Sequence, residues 1–404
     1  MTEITKKTIT NPQQIDEILN RGTIVEILPT KKEFRQKLLS GERLRFYIGF
    51  DATAPTLHLS HAKNFMLMEK FRKLGHEVII LFGDFTARIG DPTEGGSARK
   101  QLSREEVIWN IKKWKELVEP LMDFKNRENP PKIMYNHDWL SKLGLEDLIK
   151  LASNFTIQQM IERDMFQKRL KEKKPIYLHE FLYPLMQGYD SVAMDVDVEV
   201  CGIDQIFNAL AGRSLLKKLK GKNKYVVAVT LMENPKTGEL MSKSKGVGVF
   251  LDVPPDDMYG KVMAQPDEMI EILFVNNTYL PLEEIKKLKN LENPRDAKMR
   301  LAFEITKIFH GNDAAKKAEQ HFIKVFSKKE LPEKIPELRI KSKELRIMDL
   351  LLKASISSKS EARRLILQKA VEINGAIKTD PNEILNLRGG EVLKIGKKKF
   401  FKIV

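Results

Sequence analysis

Short apolar runs, too brief for helices, alternate with longer stretches of helical spacing along the first part of the chain. Leu44-Arg45-Phe46-Tyr47-Ile48-Gly49-Phe50 reads as a buried strand. Residues 62–74 follow as an amphipathic helix carrying Phe65, Met68 and Phe71, with Gly75 placed where a helix should stop. Val78-Ile79-Ile80-Leu81-Phe82 predicts the next strand. Ser103-Arg104-Glu105-Glu106 is a capping box, in which hydroxyl and carboxylate satisfy each other's backbone N–H groups; the helix it opens includes Ile108, Ile111 and Leu117 among its apolar residues. Further strands are expected at 133–135, 198–200 and 225–229. Strand and helix alternating at this spacing predict an α/β fold with a doubly wound, Rossmann-like parallel sheet. Residues 1–40 read as a helical lead-in broken at Pro12 and Pro29.

Beyond about residue 250 the strand pattern gives way to short helices rich in Lys, Glu and Leu. A Pro-containing, densely charged stretch carrying Pro332 and Pro336 then has the composition of a linker. The expected organisation is a first domain over 1–245 with its N-terminal helical segment, a helical domain over 246–328, a linker over 329–343 and a small α+β unit over 344–404. A length of 404 residues suits two to three domains.

Composition narrows the class. With 42% apolar and 31% charged residues the chain is globular and not disordered. No apolar run approaches the roughly 20 residues of a membrane span, and Met1-Thr2-Glu3-Ile4-Thr5-Lys6-Lys7 has no apolar stretch behind its charges. One cysteine excludes an internal disulfide and a zinc site built on several thiolates. These features read as a cytosolic protein without a membrane partner. The net charge is +15, and residues 341–404 hold 15 basic against 7 acidic residues, so about half of the excess lies in the last sixth of the chain. That field suits a polyanion such as tRNA, DNA or rRNA, although a solvated basic surface has the same composition.

Two motifs carry chemistry. In the first, a strand and turn lead to His58-Leu59-Ser60-His61. Two histidines three apart at a helix start share a face beside amide groups that favour phosphate. No third ligand lies nearby in the sequence, which argues against a metal. In the second, Glu239-Leu240-Met241-Ser242-Lys243-Ser244-Lys245-Gly246 is a short loop with lysines and hydroxyls suited to neutralising a triphosphate. Alone, either is matched by surface histidines or a solvated basic loop. A P-loop is disfavoured, because no Gly-x-x-x-x-Gly-Lys-Ser/Thr follows a strand. Tyr183, Gln187 and Asp190 line one helical face among Phe181, Leu182, Leu185 and Met186, and buried polar groups need partners. An amino acid would supply them: Asp190 accepts from a phenol, and Tyr183 and Gln187 hold an ammonium. Asp204 and Gln205 follow a strand at the end where α/β sites form.

In this order the two motifs resemble the His-x-Gly-His and Lys-Met-Ser-Lys-Ser pair of class I aminoacyl-tRNA synthetases. The further pattern of Tyr47-Ile48-Gly49-Phe50-Asp51, Gly90-Asp91-Pro92 and Gln187-Gly188-Tyr189-Asp190 is similar to the bacterial-type tyrosyl-tRNA synthetases over essentially the whole chain. The resemblance implies a tyrosine–tRNA ligase that activates L-tyrosine with ATP, accompanied by Mg²⁺, and transfers it to tRNA(Tyr). It implies Tyr47 and Asp190 at the substrate phenol, Asp91, Tyr183 and Gln187 at the ammonium, and Gln205 near the carboxylate. It places Gly49, Asp51, Gly202, Asp204, His58, His61 and Lys243 around ATP, with Asp204 at the ribose and the histidines at the phosphates. Lys243, Ser244, His58 and His61 would stabilise the reacting phosphates, and Arg99 would meet pyrophosphate or the tRNA acceptor end. No resident metal is implied. Ser360-Glu361-Ala362-Arg363-Arg364-Leu365-Ile366, with Val371–Gly375 and Gly389–Ile395 behind it, resembles a small ribosomal-protein-like RNA-binding fold, so Arg363 and Arg364 would meet tRNA phosphates. A homodimer is implied as well.

The chain departs from the family at four places: Ser60 stands for the glycine of His-x-Gly-His, Leu240 for the first lysine of the loop, Gly95 where many relatives have lysine, and Cys201 where glycine is usual. Two other readings follow the same residues. A tryptophanyl enzyme shares the signatures but fits the Tyr47 and Asp190 pair and the basic tail poorly. A synthetase-like RNA-binding protein without activation chemistry is the other, permitted by Ser60 and Leu240.

Overall fold

The structure, a computed structural model, describes residues 8–90, 102–240, 248–327, 335–340, 344–354, 356, 358–396 and 399–404. The chain divides into two compact units, 1–315 and 316–404. No helix among the described residues is long and apolar enough to cross a membrane.

The lead-in differs from the expected helical segment. Pro12 does not break a helix but starts one, α1 (Pro12–Asn20), whose free N-terminal amide Asn11 caps by accepting from Gln14 N–H. The next run, Ile24-Val25-Glu26-Ile27-Leu28, is a strand, β1 (Ile24–Leu28), and α2 (Lys31–Leu39) follows it. Five residues with three β-branched side chains are too short for a helix of their own and fit a sheet edge.

The elements of the sheet then arrive in order: β2 (Arg45–Phe50), α3 (Leu59–Lys73), β3 (Glu77–Phe82), α4 (Arg104–Val118) and β4 (Lys132–Tyr135). Four short helices come next, α5 (His137–Leu140), α6 (Leu145–Ala152), α7 (Ile157–Ile161) and α8 (Asp164–Lys171), before α9 (Tyr183–Met194), β5 (Val198–Gly202), α10 (Ile206–Lys220) and β6 (Tyr225–Val229). The capping box at Ser103 and Glu106 is formed. The buried seam of α4 runs through Val107, Asn110, Ile111, Trp114 and Val118; of the apolar residues named from the sequence Ile111 is in it, Leu117 is half-buried and Ile108 is exposed.

The sheet order is β1-β6-β5-β2-β3-β4. β2 to β6 run parallel, as the strand–helix alternation requires, and β1 closes the edge antiparallel to β6. From β2 the chain winds outward through β3 and β4, then returns to the other side of β2 for β5 and β6. That reversal makes β2 and β5 the switch point where open α/β sheets bind ligands. Their pairing covers only Phe46–Val198 and Tyr47–Glu199, whereas β2 and β3 pair over six positions. The strands therefore part beyond Tyr47, and a crevice opens at their carboxyl ends.

Helices α11 (Pro255–Met263), α12 (Ile270–Asn277), α13 (Leu282–Lys289), α14 (Pro294–His310) and α15 (Asn312–Phe322) follow. The end of α12 holds the start of α3: Asn277 Nδ2 donates to the Leu59 carbonyl at 2.8 Å, and Leu59 N–H donates to Val249 O at 3.0 Å. Arg21 gives its guanidinium to the carbonyls of Val275, Thr278 and Leu280, tying the lead-in to the same corner.

In the second unit, β7 (Glu337–Leu338), β8 (Glu344–Arg346), α16 (Ile347–Lys353), α17 (Lys359–Leu367), β9 (Val371–Ile373), β10 (Ala376–Lys378), β11 (Ile384–Asn386), β12 (Val392–Ile395) and β13 (Lys399–Ile403) surround a core of Ile347, Leu350, Leu351, Ala362 and Leu393. β7 falls inside the stretch read as a linker, yet it pairs parallel with β13 and completes a five-stranded sheet.

The packing of α9 on α10 rests on two glycines. A Cβ at Gly188 would lie 3.2 and 3.3 Å from the Gly212 backbone, and one at Gly212 would lie 2.6 Å from Lys224 Nζ and 2.8 Å from Ser191 Oγ. Overpacking of this kind typically costs about 1–3 kcal/mol and outweighs the roughly 1 kcal/mol that alanine gains over glycine in a helix. Gly212→Ala should therefore lower stability by about 1–2 kcal/mol in urea unfolding; an unchanged midpoint would show that the two helices are not in contact there.

Candidate active site

A cavity of about 340 Å³ opens at the carboxyl ends of β2 and β5. It gathers Tyr47, Gly49, Asp51, His58, His61, Tyr183, Gln187, Asp190, Gly202, Asp204 and Gln205 around one space, although they come from β2 and the turn after it, the start of α3, α9, and β5 and the turn after it. Ser60 and Cys201 line it too. Asp91, Arg99, Lys243, Ser244 and Gly95 lie outside the described residues. Arg363 and Arg364 belong to the second unit, where they project from the exposed side of α17 opposite the buried Ala362 and Ile366.

The deep end is built around Asp190, which is 3% exposed. Its carboxylate accepts from Trp139 Nε1 at 2.7 Å and from Asn136 Nδ2 at 3.3 Å. Burial nevertheless pushes the carboxyl well above the usual carboxylate range, with the Glu199 and Asp51 charges adding to it. A further donor at this carboxylate would favour its charged form. Tyr47 is also fully buried, its phenol raised by burial and by Glu199 and Asp190, and its hydroxyl lies 3.1 Å from Ser191 Oγ.

Above it, Tyr183 OH donates to Asp51 Oδ2 at 2.8 Å, and Thr86 Oγ1 donates to Asp51 Oδ1 at 2.7 Å. Asp51 thus anchors Tyr183. Gln187 Nε2 donates to Glu199 Oε1 at 3.0 Å.

At the open end, His58 caps α3 and His61 sits in its first turn, with ring centroids 4.1 Å apart. His61 Nδ1 accepts from the His58 backbone N–H at 3.4 Å, which leaves Nε2 as the protonated nitrogen. Burial, reinforced by the Lys63 charge, lowers His58 to about 4 and holds His61 well below its ordinary value. Both rings are therefore neutral N–H donors at pH 7, beside the positive end of a 15-residue helix. On the facing strand, a Cβ at Gly202 would lie 2.4 Å from Asp204 Oδ1, so only glycine lets that carboxylate fold back over the β5 end.

Several contributors escaped the sequence reading. Asn136 and Trp139 hold Asp190 from the turn and helix after β4, and nothing in their local pattern marks them. Glu199 had a signal, since it interrupts the otherwise apolar Val198-Glu199-Val200 strand. Lys63 lies in the cavity wall, 2% exposed, donating to Asn64 Oδ1 at 2.8 Å and lowered by burial to about 7.

Comparison with known proteins agrees with this architecture. The family model for class I tRNA synthetases (W and Y) matches residues 39–327, and the model for the C-terminal domain of SYY-like tyrosine–tRNA ligases matches 328–403. The chain belongs to that class I family. The tyrosine–tRNA ligase of Thermotoga maritima is 42% identical over 97% of this chain and 98% of its own, and that of Haemophilus influenzae 40% identical over 100% and 98%. Within the class, its place is among the tyrosine–tRNA ligases. In fold it is similar to a C-terminally truncated mitochondrial tyrosyl-tRNA synthetase from Aspergillus nidulans, with a TM-score of 0.65 at 23% identity over 78% of this chain and 94% of that one. The Archaeoglobus fulgidus tyrosyl-tRNA synthetase, solved with L-tyrosine, gives 0.58 at 20% identity over 76% and 99%.

The neutral histidines generate a pH dependence. Unfolded, His58 takes a proton near 6.5; folded, it resists until about 4. The unfolded state therefore binds more protons between these values, and stability falls as pH is lowered through that window. His58→Gln should recover about 1–2 kcal/mol of the stability that the native chain loses between pH 7 and pH 5. Urea titrations at both pH values check this, and a wild-type imidazole titrating near 6.5 by NMR would contradict it.

Proposed function

We propose that the cavity binds L-tyrosine with its phenol between Tyr47 and Asp190 and ATP along the rim formed by His58, His61, Gly202 and Asp204, and that it joins them as tyrosyl-adenylate. The observation that carries this reading is Asp190: a buried carboxylate already held by Trp139 and Asn136, at the closed end of the cavity, suits one more donor. A phenol hydroxyl is such a donor. Phenylalanine would displace water from Asp190 and return no hydrogen bond, a costly exchange at a buried charge.

In the first step a tyrosine carboxylate oxygen attacks the α-phosphorus of ATP. The new P–O bond forms as the bond to the bridging oxygen breaks, and pyrophosphate leaves with that electron pair. No protein nucleophile is required; the rate comes from alignment and from stabilising charge on the phosphate oxygens. Tyr183, Gln187 and Asp91 hold the ammonium, Gln205 lies near the carboxylate and Asp204 takes the ribose. The imidazole N–H groups of His58 and His61 meet the phosphates, joined by Lys243, Ser244 and Arg99 and by the Mg²⁺ that enters with ATP. Gly49 and Gly202 leave room for the nucleotide, and Asp51 serves the site through Tyr183. In the second step a terminal ribose hydroxyl of tRNA(Tyr) attacks the adenylate carbonyl and AMP departs. The basic C-terminal unit, with Arg363 and Arg364 exposed on α17, supports tRNA binding through phosphates. We place the enzyme in the cytoplasm. In this reading 1–245 carries catalysis, the helices of 246–328 bind the anticodon side of the tRNA, and the C-terminal unit binds RNA.

Tyrosine-dependent exchange of pyrophosphate into ATP tests this directly. The purified chain should catalyse it, and Asp190→Ala should abolish it while leaving tRNA binding largely intact. An RNA-binding protein without activation chemistry would show no exchange, and a tryptophanyl enzyme would be stabilised against heat more by tryptophan than by tyrosine.

We further propose a homodimer. Leu145 and Ile149 on α6, Ile157 on α7 and Leu178 in the turn before α9 are between 59% and 80% exposed, and Leu145 edges an apolar groove of about 370 Å³ with Leu140, Leu148 and Leu182. Large exposed apolar side chains, one of them at the edge of an apolar groove, suit an interface. Light scattering should return twice the 46.6 kDa chain mass, and Leu145→Lys with Ile149→Lys should halve it. A clean wild-type monomer at micromolar concentration would refute the dimer.

A further inference from the structure

The polar side chains beneath the cavity form one uninterrupted run of hydrogen bonds between its two ends. Lys224, fully buried, pairs with Glu199 and donates to Ser191 Oγ at 2.7 Å. Glu199 Oε1 accepts from Gln187 Nε2 at 3.0 Å. Gln187 Oε1 accepts from Asn208 Nδ2 at 3.0 Å, and the same Nδ2 donates to Gln205 Oε1 at 2.8 Å. Gln205 Nε2 then donates to Asp204 Oδ2 at 3.2 Å.

The chemistry of the two ends fixes the sense of everything between them. Glu199, ion-paired to Lys224, has no hydrogen to give, so the amide facing it must present nitrogen. Gln187 therefore turns its oxygen toward Asn208. At the other end the Asp204 carboxylate likewise only accepts, so Gln205 presents nitrogen there and oxygen to Asn208. Two carbonyl oxygens converge on one residue, and the Asn208 NH₂ group carries the two hydrogens that satisfy them. Asn208 is 0% exposed and lies behind the cavity wall, and its Oδ1 is buried without a partner in the structure. A buried amide left half-satisfied costs stability, and here its satisfied half faces the two site glutamines.

We propose that Asn208 is a positioning residue for amino-acid recognition: it fixes the sense of both glutamine amides, so that Gln187 turns its oxygen, with a lone pair to spare, toward the substrate ammonium. The assignment rests on the ligand role given above for Gln187. With Gln187 reversed, N–H would face the ammonium, donor against donor. Lys224 and Glu199 anchor one end of the run, and Asp204 ties the other to the ribose side, so amino acid and nucleotide meet a wall whose polarity is set from behind.

The test compares Asn208→Leu, of similar shape but without hydrogens to donate, with the wild-type chain in equilibrium binding of L-tyrosine and of 3-(4-hydroxyphenyl)propionate, which lacks the ammonium. Tyrosine should weaken about tenfold, the factor that about 1.4 kcal/mol represents, while the analogue changes less than twofold, so the preference for the ammonium collapses. Asn208→Asp, which keeps the shape and exchanges NH₂ for oxygen, should act in the same direction and serves if the leucine variant does not fold. Equal weakening of both ligands, unchanged binding of both, or failure of both variants to fold would make Asn208 a structural residue only and overturn the inference. A wild-type chain that binds no tyrosine overturns the site reading itself, and the inference falls with it; wild-type binding with an unmoved preference in the variants overturns the inference alone.

Discussion

A carboxylate held out of water is the constraint around which the first unit is arranged. Asp190 sits on α9 between apolar neighbours, and its charge is tolerable only while donors reach it. Trp139 and Asn136 do so from the turn and short helix that follow β4. Asn136 is itself oriented: its oxygen accepts from Phe85 N–H at 3.0 Å and its nitrogen also donates to Thr86 Oγ1 at 3.0 Å. Thr86 passes a hydrogen to Asp51, and Asp51 accepts from Tyr183, which returns the path to α9 two turns from Asp190. The loop after β3, the start of α5, the end of β2 and the face of α9 thus form a closed ring of hydrogen bonds. None of these contacts is worth more than about 1–3 kcal/mol, but each fixes the orientation of the next.

The two ends of the cavity solve opposite electrostatic problems. The deep end presents a buried carboxyl that suits one more neutral donor; the rim, on the proposed reading, receives a polyanion. Charged imidazoles would be the obvious answer at the rim, yet burial leaves His58 and His61 uncharged. What remains is a pair of oriented N–H donors at a helix start, fixed in place because Asn277 and Val249 hold the Leu59 backbone. Donors held in position need no reorganisation as charge moves onto the departing phosphate. The corner that secures them is supplied by the helices after residue 255 and by Arg21, far away in sequence.

Local pattern was enough to place β2 to β6, the capping box of α4 and the polar stripe of α9, because each is written in consecutive residues. Edge strand β1 was missed although Ile24–Leu28 has the right composition, since two prolines nearby suggested helix breaks and Pro12 proved to be a helix start. Strand β7 was hidden for a related reason: Glu337 and Leu338 sit in a charged, proline-bearing stretch and become a strand only through pairing with β13. In the site, residues that touch the cavity were legible as motifs, whereas those that orient them were not. Asn136, Trp139, Asn208 and Lys224 act through partners between 21 and 54 positions away, and no periodicity records such a partnership. Glu199 was the exception in principle, as a charge in the middle of an apolar strand always asks for a partner.

The helix pair α9 and α10 shows why packing and recognition are hard to separate here. Gly188 and Gly212 bring the two backbones together, and the space freed at Gly212 is taken by the Lys224 ammonium and the Ser191 hydroxyl. A larger residue at Gly188 would press on Leu215 and the α10 backbone, and one at Gly212 would first displace the Lys224 and Ser191 atoms that hold Glu199. Through Glu199 the disturbance reaches Gln187, and through Ser191 it reaches the Tyr47 hydroxyl. The floor of the cavity is therefore set by how closely two helices approach behind it. A buried ion pair adds little net stability against an apolar replacement; what Lys224 and Glu199 contribute instead is a fixed polarity at a surface where an amide can otherwise turn either way.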